Sequence, residues 1–195
     1  MSLSIDKPRV IRMIVFSALL TALNELMGRD GKNSVLRYAG LEEYINQEVP
    51  PSVDESVSFD TFSALLSSMQ ELLGHGTHAI LYESGRKFAL YLTPFGYSLT
   101  DAVSKLANWL GGNVIINVEK DDDEGIVQIK NNPFCLIKEM VSKSPSCHLI
   151  SGALAKIKEE STGHNYFVKE MLCESKGDSH CEFHIFKRSE VKKDG

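Results

Sequence analysis

The hydrophobic period of this chain changes at Asn113, and that change limits what it can fold into. Before it, apolar residues recur at helical spacing. After it, β-branched residues gather in short strand-like runs. Val10, Ile11, Ile14, Val15, Leu19, Leu23 and Leu26 define a helix over Pro8 to Met27. Its apolar arc is wide, which predicts burial on more than one side. Arg29-Asp30-Gly31 ends it. Asn33 to Ala39 and Leu41 to Gln47 read as short helices, and Val49-Pro50-Pro51-Ser52 as a loop. A further helix, capped by Ser58 or Asp60, carries Phe62, Leu65, Leu66, Met69, Leu72 and Leu73 and stops at Gly74 and Gly76. Thr77 to Leu92 fits a helix, although its tyrosines and β-branched residues would also tolerate a strand. Ser84 and Gly85 share a face there, where small residues let a second element come close. After a break at Pro94-Phe95-Gly96, Leu99, Val103, Leu106, Ala107 and Leu110 mark another helix, ended by Gly111-Gly112.

Beyond Asn113 the reading is hairpin, helix, hairpin. Val114 to Val118 and Ile126 to Ile129 pair around the acidic turn Glu119 to Gly125. Phe134 to Val141 is helix or irregular. Ser144-Pro145, a cap followed by proline, opens a helix whose core face is Leu149, Ile150, Ala153, Leu154 and Ile157. Thr162-Gly163 ends it. Tyr166 to Glu174 and Cys181 to Lys187 form the second hairpin. Hairpins need no crossover, so an antiparallel sheet is expected. Helices segregated from strands give the α+β class, with helices packed on one antiparallel sheet. No repeat or linker divides the 195 residues, which read as a single domain. Its parts are a helical segment at 1–57, the main body at 58–187 and a flexible tail at 188–195.

A formal charge of −5 argues against a nucleic-acid partner, since phosphate binding needs a basic footprint. The cluster Lys187, Arg188, Lys192 and Lys193 reads as a solvated tail. Ile14 to Leu23 is too short to span a bilayer, which takes ~20 residues. It also lacks a signal-peptide cleavage site. The expected location is the cytoplasm, where four cysteines point to thiol or metal chemistry more than to disulfides.

Among those residues, Cys147, Glu170, Cys173 and Cys181 form the most informative set. Cys147 falls in the first turn of the helix capped by Ser144, where free amides favour a thiolate. Cys173 and Cys181 are symmetric about Gly177, so a simple hairpin register sets them opposite one another. Two facing thiols, a third on a nearby helix and a carboxylate can close a tetrahedral zinc site. Glu170 and Cys173 are three apart and face opposite sides of a regular strand, so a bulge is required. The spacing lacks paired C-x-x-C knuckles. It leaves open buried free cysteines and a Cys173–Cys181 disulfide. Cys135 reads as a core residue outside the set. His148, His164, His180 and His184 read as surface or supporting groups. Asp121 to Glu124 lacks calcium-loop spacing, and Gly74-His75-Gly76 and Gly111-Gly112 read as helix stops. No nucleophile–base pair or dinucleotide fingerprint appears, so an enzyme is not expected.

Cys173-Glu174-Ser175-Lys176-Gly177-Asp178-Ser179-His180-Cys181-Glu182-Phe183 resembles the C-terminal signature of the 4-vinyl-reductase (4VR) domain family. Cys147 to Ala155 resembles the family's Cys-x-x-x-x-Gly helix, Val168 to Cys173 its Glu-x-x-Cys strand, and Ala79 to Leu90, with Gly85-Arg86, its helical Gly-Arg segment. The likeness is close over the last 50 or so residues, loose over 58–140 and poor in motifs before that. In phenol-sensing activators that carry the domain, zinc is bound by Cys, Glu, Cys and Cys. The resemblance thus implies a structural zinc on Cys147, Glu170, Cys173 and Cys181. It also implies the fold of the small TRAPP vesicle-tethering subunits, often dimeric, with an apolar cavity. A homodimer would use the wide apolar arc of the first helix.

The expected function is that of a binding or sensor domain for a small hydrophobic ligand, aromatic, hydrocarbon-like or acyl. Such a ligand would sit between sheet and helices, with Trp109 and Phe88 as candidate lining residues. The alternatives are a tetrapyrrole-related factor in (bacterio)chlorophyll biosynthesis or photosynthetic-complex assembly, and a TRAPP-like scaffold subunit.

Overall fold

A computed structural model describes residues 10–93, 97–111, 114–121, 124–137 and 147–188. The chain opens with a short strand, β1 (Val10–Arg12), not with the expected helix from Pro8. β1 pairs antiparallel with β2 (Ser56–Ser58), setting Ile11 opposite Val57, both buried. Pairing with β2 outcompetes one extra helical turn because it buries Ile11 fully and satisfies the backbone. The first amides of α1 (Met13–Tyr38) are then taken by the returning loop: Met13 N donates to the Glu55 carbonyl at 2.9 Å and Ile14 N to the Ser52 carbonyl at 2.9 Å.

α1 is interrupted at Gly28, whose φ of 74° and ψ of 173° lie outside helical space. The break thus comes just before Arg29-Asp30-Gly31, and the segment expected at Asn33 to Ala39 is the continuation of the same element. The helix expected over Leu41 to Gln47 reduces to a 3₁₀ turn at Glu42–Tyr44. Asn46, with φ of 57°, prevents its extension. The wide apolar arc of α1 is covered within the chain: every residue from Ile14 to Leu20 is buried. The width of that arc therefore gives no argument for a second copy.

α2 (Phe59–Leu73) begins where expected, and of the two candidate caps it is Ser58 whose Oγ accepts from Thr61 N at 3.0 Å. The ambiguous segment is helical, as α3 (Gly76–Ala89). α4 (Leu99–Leu110) is capped by Ser98, which accepts from Asp101 N at 3.2 Å. The main sheet follows, with β3 (Ile115–Asp121), β4 (Glu124–Lys130), β5 (Tyr166–Leu172) and β6 (Cys181–Lys187) in the order β3-β4-β6-β5, all antiparallel. The expected fold class, helices packed on antiparallel sheet, is the observed one. The expected single sheet is joined by the small β1–β2 sheet.

α5 (His148–Thr162) packs on β5 and β6 with one side and on α3 with the other, and α3 in turn packs on α1. Sheet, α5, α3 and α1 thus succeed one another as layers. This double coverage explains why α5 is buried without interruption from Leu149 to Ala155. Val127, Ile129, Phe183 and Ile185 form the inner face of the sheet. Arg86 of α3 and Glu159 of α5 close the edge of the helix pair with a 2.8 Å ion pair. Arg188, expected to open a flexible tail, donates its amide to the Asn165 carbonyl at 2.8 Å. No helix among the described residues is long and apolar enough to cross a membrane. The Pro94-Phe95-Gly96 break, Gly112, the tip of the acidic turn at 122–123, the Ser144-Pro145 cap and residues 189–195 lie outside the described residues, as does most of Phe134 to Val141.

Candidate metal centre

The β5–β6 hairpin brings Cys173 and Cys181 together as its symmetry about Gly177 requires. Leu172 pairs with Glu182, so the next rung inward joins the two cysteines. A 3₁₀ turn at Glu174–Lys176 and Gly177, with φ of 94°, reverse the chain. The Asp178 carboxylate accepts from Cys173 N at 2.8 Å and fixes the turn. The register shifts between Glu170 and Leu172, leaving Met171 as the extra residue. This is the bulge that the three-residue spacing of Glu170 and Cys173 calls for.

Cys147 lies at the N-cap position of α5, one residue before its first turn. Its amide donates to Glu170 Oε2 at 2.9 Å, which ties α5 to β5. Its sulfur lies 3.8 Å from both Cys173 Sγ and Cys181 Sγ. The three cysteines of the sequence-based set are therefore in one place, with Glu170 beside them. Glu170 Oε1 is buried and, among the described residues, has no hydrogen-bond partner.

Cys135 belongs to the same cluster, contrary to its reading as a core residue outside the set. It sits in a 3₁₀ turn at Pro133–Leu136, with Sγ 3.3 Å from Cys147, 3.5 Å from Cys181 and 3.8 Å from Cys173. The turn is held in place by Glu174, whose carboxylate accepts from the amides of Asn131 at 3.0 Å and Asn132 at 2.9 Å. The signal for Cys135 is topological. β4 pairs with β6 so that Ile129 faces Cys181. A chain leaving β4 must pass the start of β6, and a cysteine a few residues on lands beside Cys181. That pairing is not contained in the spacing of the cysteines.

All four cysteines are reduced and buried, so the disulfide alternative is not realised. A tetrahedral zinc with Zn–S bonds of ≈ 2.3 Å places its sulfurs roughly 3.8 Å apart. The sulfur separations here, 3.3 to 3.8 Å, match that spacing closely. The surroundings suit thiolates. The buried Asn132 amide donates to Cys147 Sγ at 3.1 Å and Cys181 Sγ at 3.7 Å, and Glu174 N to Cys181 Sγ at 3.5 Å. Without a cation the protons are shared unequally. Hydrogen bonds from Cys135, Cys147 and Cys181 push the Cys173 thiol far down. Hydrogen bonding with Cys135, Cys173 and Cys181, together with burial, pushes Cys147 up. Burial pushes the Glu170 carboxyl up to about 8. One thiolate surrounded by three thiol donors is what remains when a divalent ion's charge is missing from a tetrathiolate. The residues fit zinc.

The histidines lie around the cluster, outside the four-sulfur set. His148 stacks on His78 of α3 with centroids 4.1 Å apart, and His184 meets Glu182 at 2.8 Å. His180 Nδ1 is 2.9 Å from Ser179 Oγ, and His164 is exposed.

A cavity of about 640 Å³ lies elsewhere, between α1, the 46–51 loop and the C-terminal end of α3. Ile14, Ala18, Leu20 and Val49 contribute apolar wall. The expected ligand position between sheet and helices is not where this cavity is, because α5 and α3 intervene. Phe88 and Trp109 do not line it. They pack edge to face at 6.4 Å, with Phe88 fully buried.

Comparison with known proteins agrees with this description. The fold is similar to the phenol-responsive sensory domain of the transcription activator PoxR, solved with phenol. That likeness has a TM-score of 0.56 at 16% identity, over 72% of this chain and 80% of that one. It is also similar to an H-NOX protein from S. oneidensis in the Fe(II)NO state, with a TM-score of 0.61 at 13% identity over 92% and 100%. A mutant H-NOX protein from K. algicida in its unliganded Fe(II) form gives 0.60 at 12% identity over 93% and 98%. At these identities the likeness is one of fold. No curated protein matches the chain by sequence. The 4-vinyl-reductase (4VR) domain family matches residues 126–187, a stretch that runs from β4 to the end of β6 and holds Glu170 and all four cysteines. Through residues 126–187, this chain belongs to the 4VR domain family.

Proposed function

We propose that this chain is a binding domain for a small hydrophobic ligand, and that its 4VR part is braced by one structural zinc ion. The observation that carries the reading is the separation of two sites, a closed thiol cluster at the start of α5 and a cavity on the far side of α3. Cys147, Cys173 and Cys181 hold the metal. Cys135 supplies the fourth donor, since its sulfur already stands at tetrahedral spacing. Glu170, the fourth donor implied by the family resemblance, positions Cys147 through its amide. Zinc bound by four protein groups contributes folding energy and has no open position for water. It pins the β5–β6 hairpin and the 133–136 turn to the end of α5, and the protein binds its ligand without turning it over.

The likeness to PoxR's phenol-responsive domain supports the ligand-binding reading. The H-NOX likeness, in a family whose heme distortion has been probed, favours a tetrapyrrole as the second reading. Against it, the described residues lining the cavity include no histidine, cysteine or methionine to hold an iron. Titration of the whole chain with phenols, fatty acids and porphyrins, followed by melting temperature and Trp109 fluorescence, separates the readings. A ligand that binds only the folded state raises the melting temperature with concentration. A shift with phenols or fatty acids supports the first reading, and a shift with porphyrin alone supports the second. No shift with any class leaves a TRAPP-like scaffold role as the better description.

A further inference from the structure

We propose that the cavity on the α1 face takes a small monoanionic amphiphile, a carboxylate on a hydrocarbon or aromatic body, with Lys32 as its counter-ion. The proposal rests on the ligand-binding reading and names the ligand class and its site. Lys32 is 8% exposed and lines the cavity. Among the described residues it has no hydrogen bond or ion pair. Lysine is almost never buried unless paired, because an ammonium removed from water without a counter-charge is strongly destabilising. A site built around such a group is complete only with an anion from outside the chain.

The charge around the cavity sets the valence of that anion. Arg29, Lys32 and Lys87 line it, and Glu48 is the one acid among its described lining residues. Lys87 is already paired with Glu25 at 2.5 Å. Setting Glu48 against one of the remaining cations leaves a single positive charge. A carboxylate neutralises it, whereas a phosphate dianion would bring a second, uncompensated charge.

The walls determine the rest of the ligand. Ile14, Ala18, Leu20 and Val49 form an apolar floor, and Leu90 and Tyr91, about half exposed, extend it to the rim. The loop that closes one side is fixed in advance. Ser17 Oγ donates to the Val49 carbonyl at 2.6 Å, and Asn33 Nδ2, beside Lys32, to Asn46 Oδ1 at 3.0 Å. The break of α1 at Gly28 starts a new helical stretch that carries both Arg29 and Lys32 to the cavity. A volume of about 640 Å³ suits a drug-sized molecule.

Calorimetric titration of the full chain with decanoate and with decanol, its uncharged counterpart, tests the proposal at low salt. Decanoate should bind about tenfold or more tightly than decanol, the margin of one partly buried charge-assisted contact. Lys32→Met should abolish that preference and leave decanol binding unchanged, while Lys32→Arg should keep it. Lys32→Met removes a buried charge and is expected to fold. Its melting temperature, measured alongside, should equal or exceed that of the parent. Equal binding of the two ligands by the parent, or an undiminished preference in Lys32→Met, overturns the assignment of Lys32 while leaving the hydrophobic-ligand reading standing. If neither decanoate, decanol, naphthoate nor naphthol binds, the ligand-binding reading falls and this proposal with it.

Discussion

Gly85 rests directly on the backbone of Leu149: a β-carbon added at Gly85 would lie 1.9 Å from the Leu149 carbonyl oxygen. Gly152 stands in the same relation to the Tyr82 carbonyl, at 2.0 Å. α3 and α5 thus touch through their main chains, and neither neighbour is a flexible side chain that could move aside. Gly85→Ala should therefore destabilise the protein by about 3 kcal/mol, at the upper end of ordinary overpacking. Gly152→Ala should do the same. The midpoint of urea unfolding measures both, and a loss below about 0.5 kcal/mol for either would show that the helices separate easily.

The assignment of the fourth zinc donor separates two variants. Cys135→Ser should lower both zinc content and melting temperature, because it removes a sulfur from the tetrahedron. Glu170→Gln keeps an oxygen to accept the Cys147 amide and should retain zinc. Glu170→Ala leaves that amide without its partner and should cost about 1–3 kcal/mol without emptying the site. Elemental analysis of the three purified variants decides the matter. Zinc lost from Glu170→Gln and kept in Cys135→Ser would make the carboxylate the ligand.

Much of this structure is legible in the residue pattern because local signals and burial agree. Ser58 caps α2, Gly85 permits a close helix crossing, and Cys173 and Cys181 meet because Gly177 centres their hairpin. The failures have a common cause, which is that contacts distant in sequence override local period. Val10 to Arg12 carries a helical pattern, yet pairing with Ser56 to Ser58 makes it a strand. Cys135 has no neighbour in sequence to mark it as a metal donor. Only the β4–β6 pairing brings it to Cys181. The cavity is invisible in the sequence for the same reason, since its walls come from α1, a proline loop and the end of α3.

The His78–His148 stack predicts how stability depends on pH. Burial lowers the pKa of His148 to about 4, with the nearby charge of His78 adding to the effect. Burial, then His75, lowers that of His78. In the unfolded chain both imidazoles take a proton near 6.5. As pH falls below that value the unfolded state binds more protons than the folded one, so stability declines until the folded imidazoles also charge, near pH 4 for His148. Urea midpoints from pH 7 to 5 should fall less in His78→Phe, which keeps a ring on His148 and removes one proton from the balance. Parallel pH profiles for the two proteins would contradict this.

A zinc-braced 4VR domain is tested most directly by the metal-to-chain ratio of protein purified without chelator, with zinc-edge X-ray absorption on the same sample. One zinc per chain is expected, in a shell of sulfur at ≈ 2.3 Å, consistent with Cys135, Cys147, Cys173 and Cys181 as donors. A folded protein free of metal, whose melting temperature does not change when zinc is added, would contradict it.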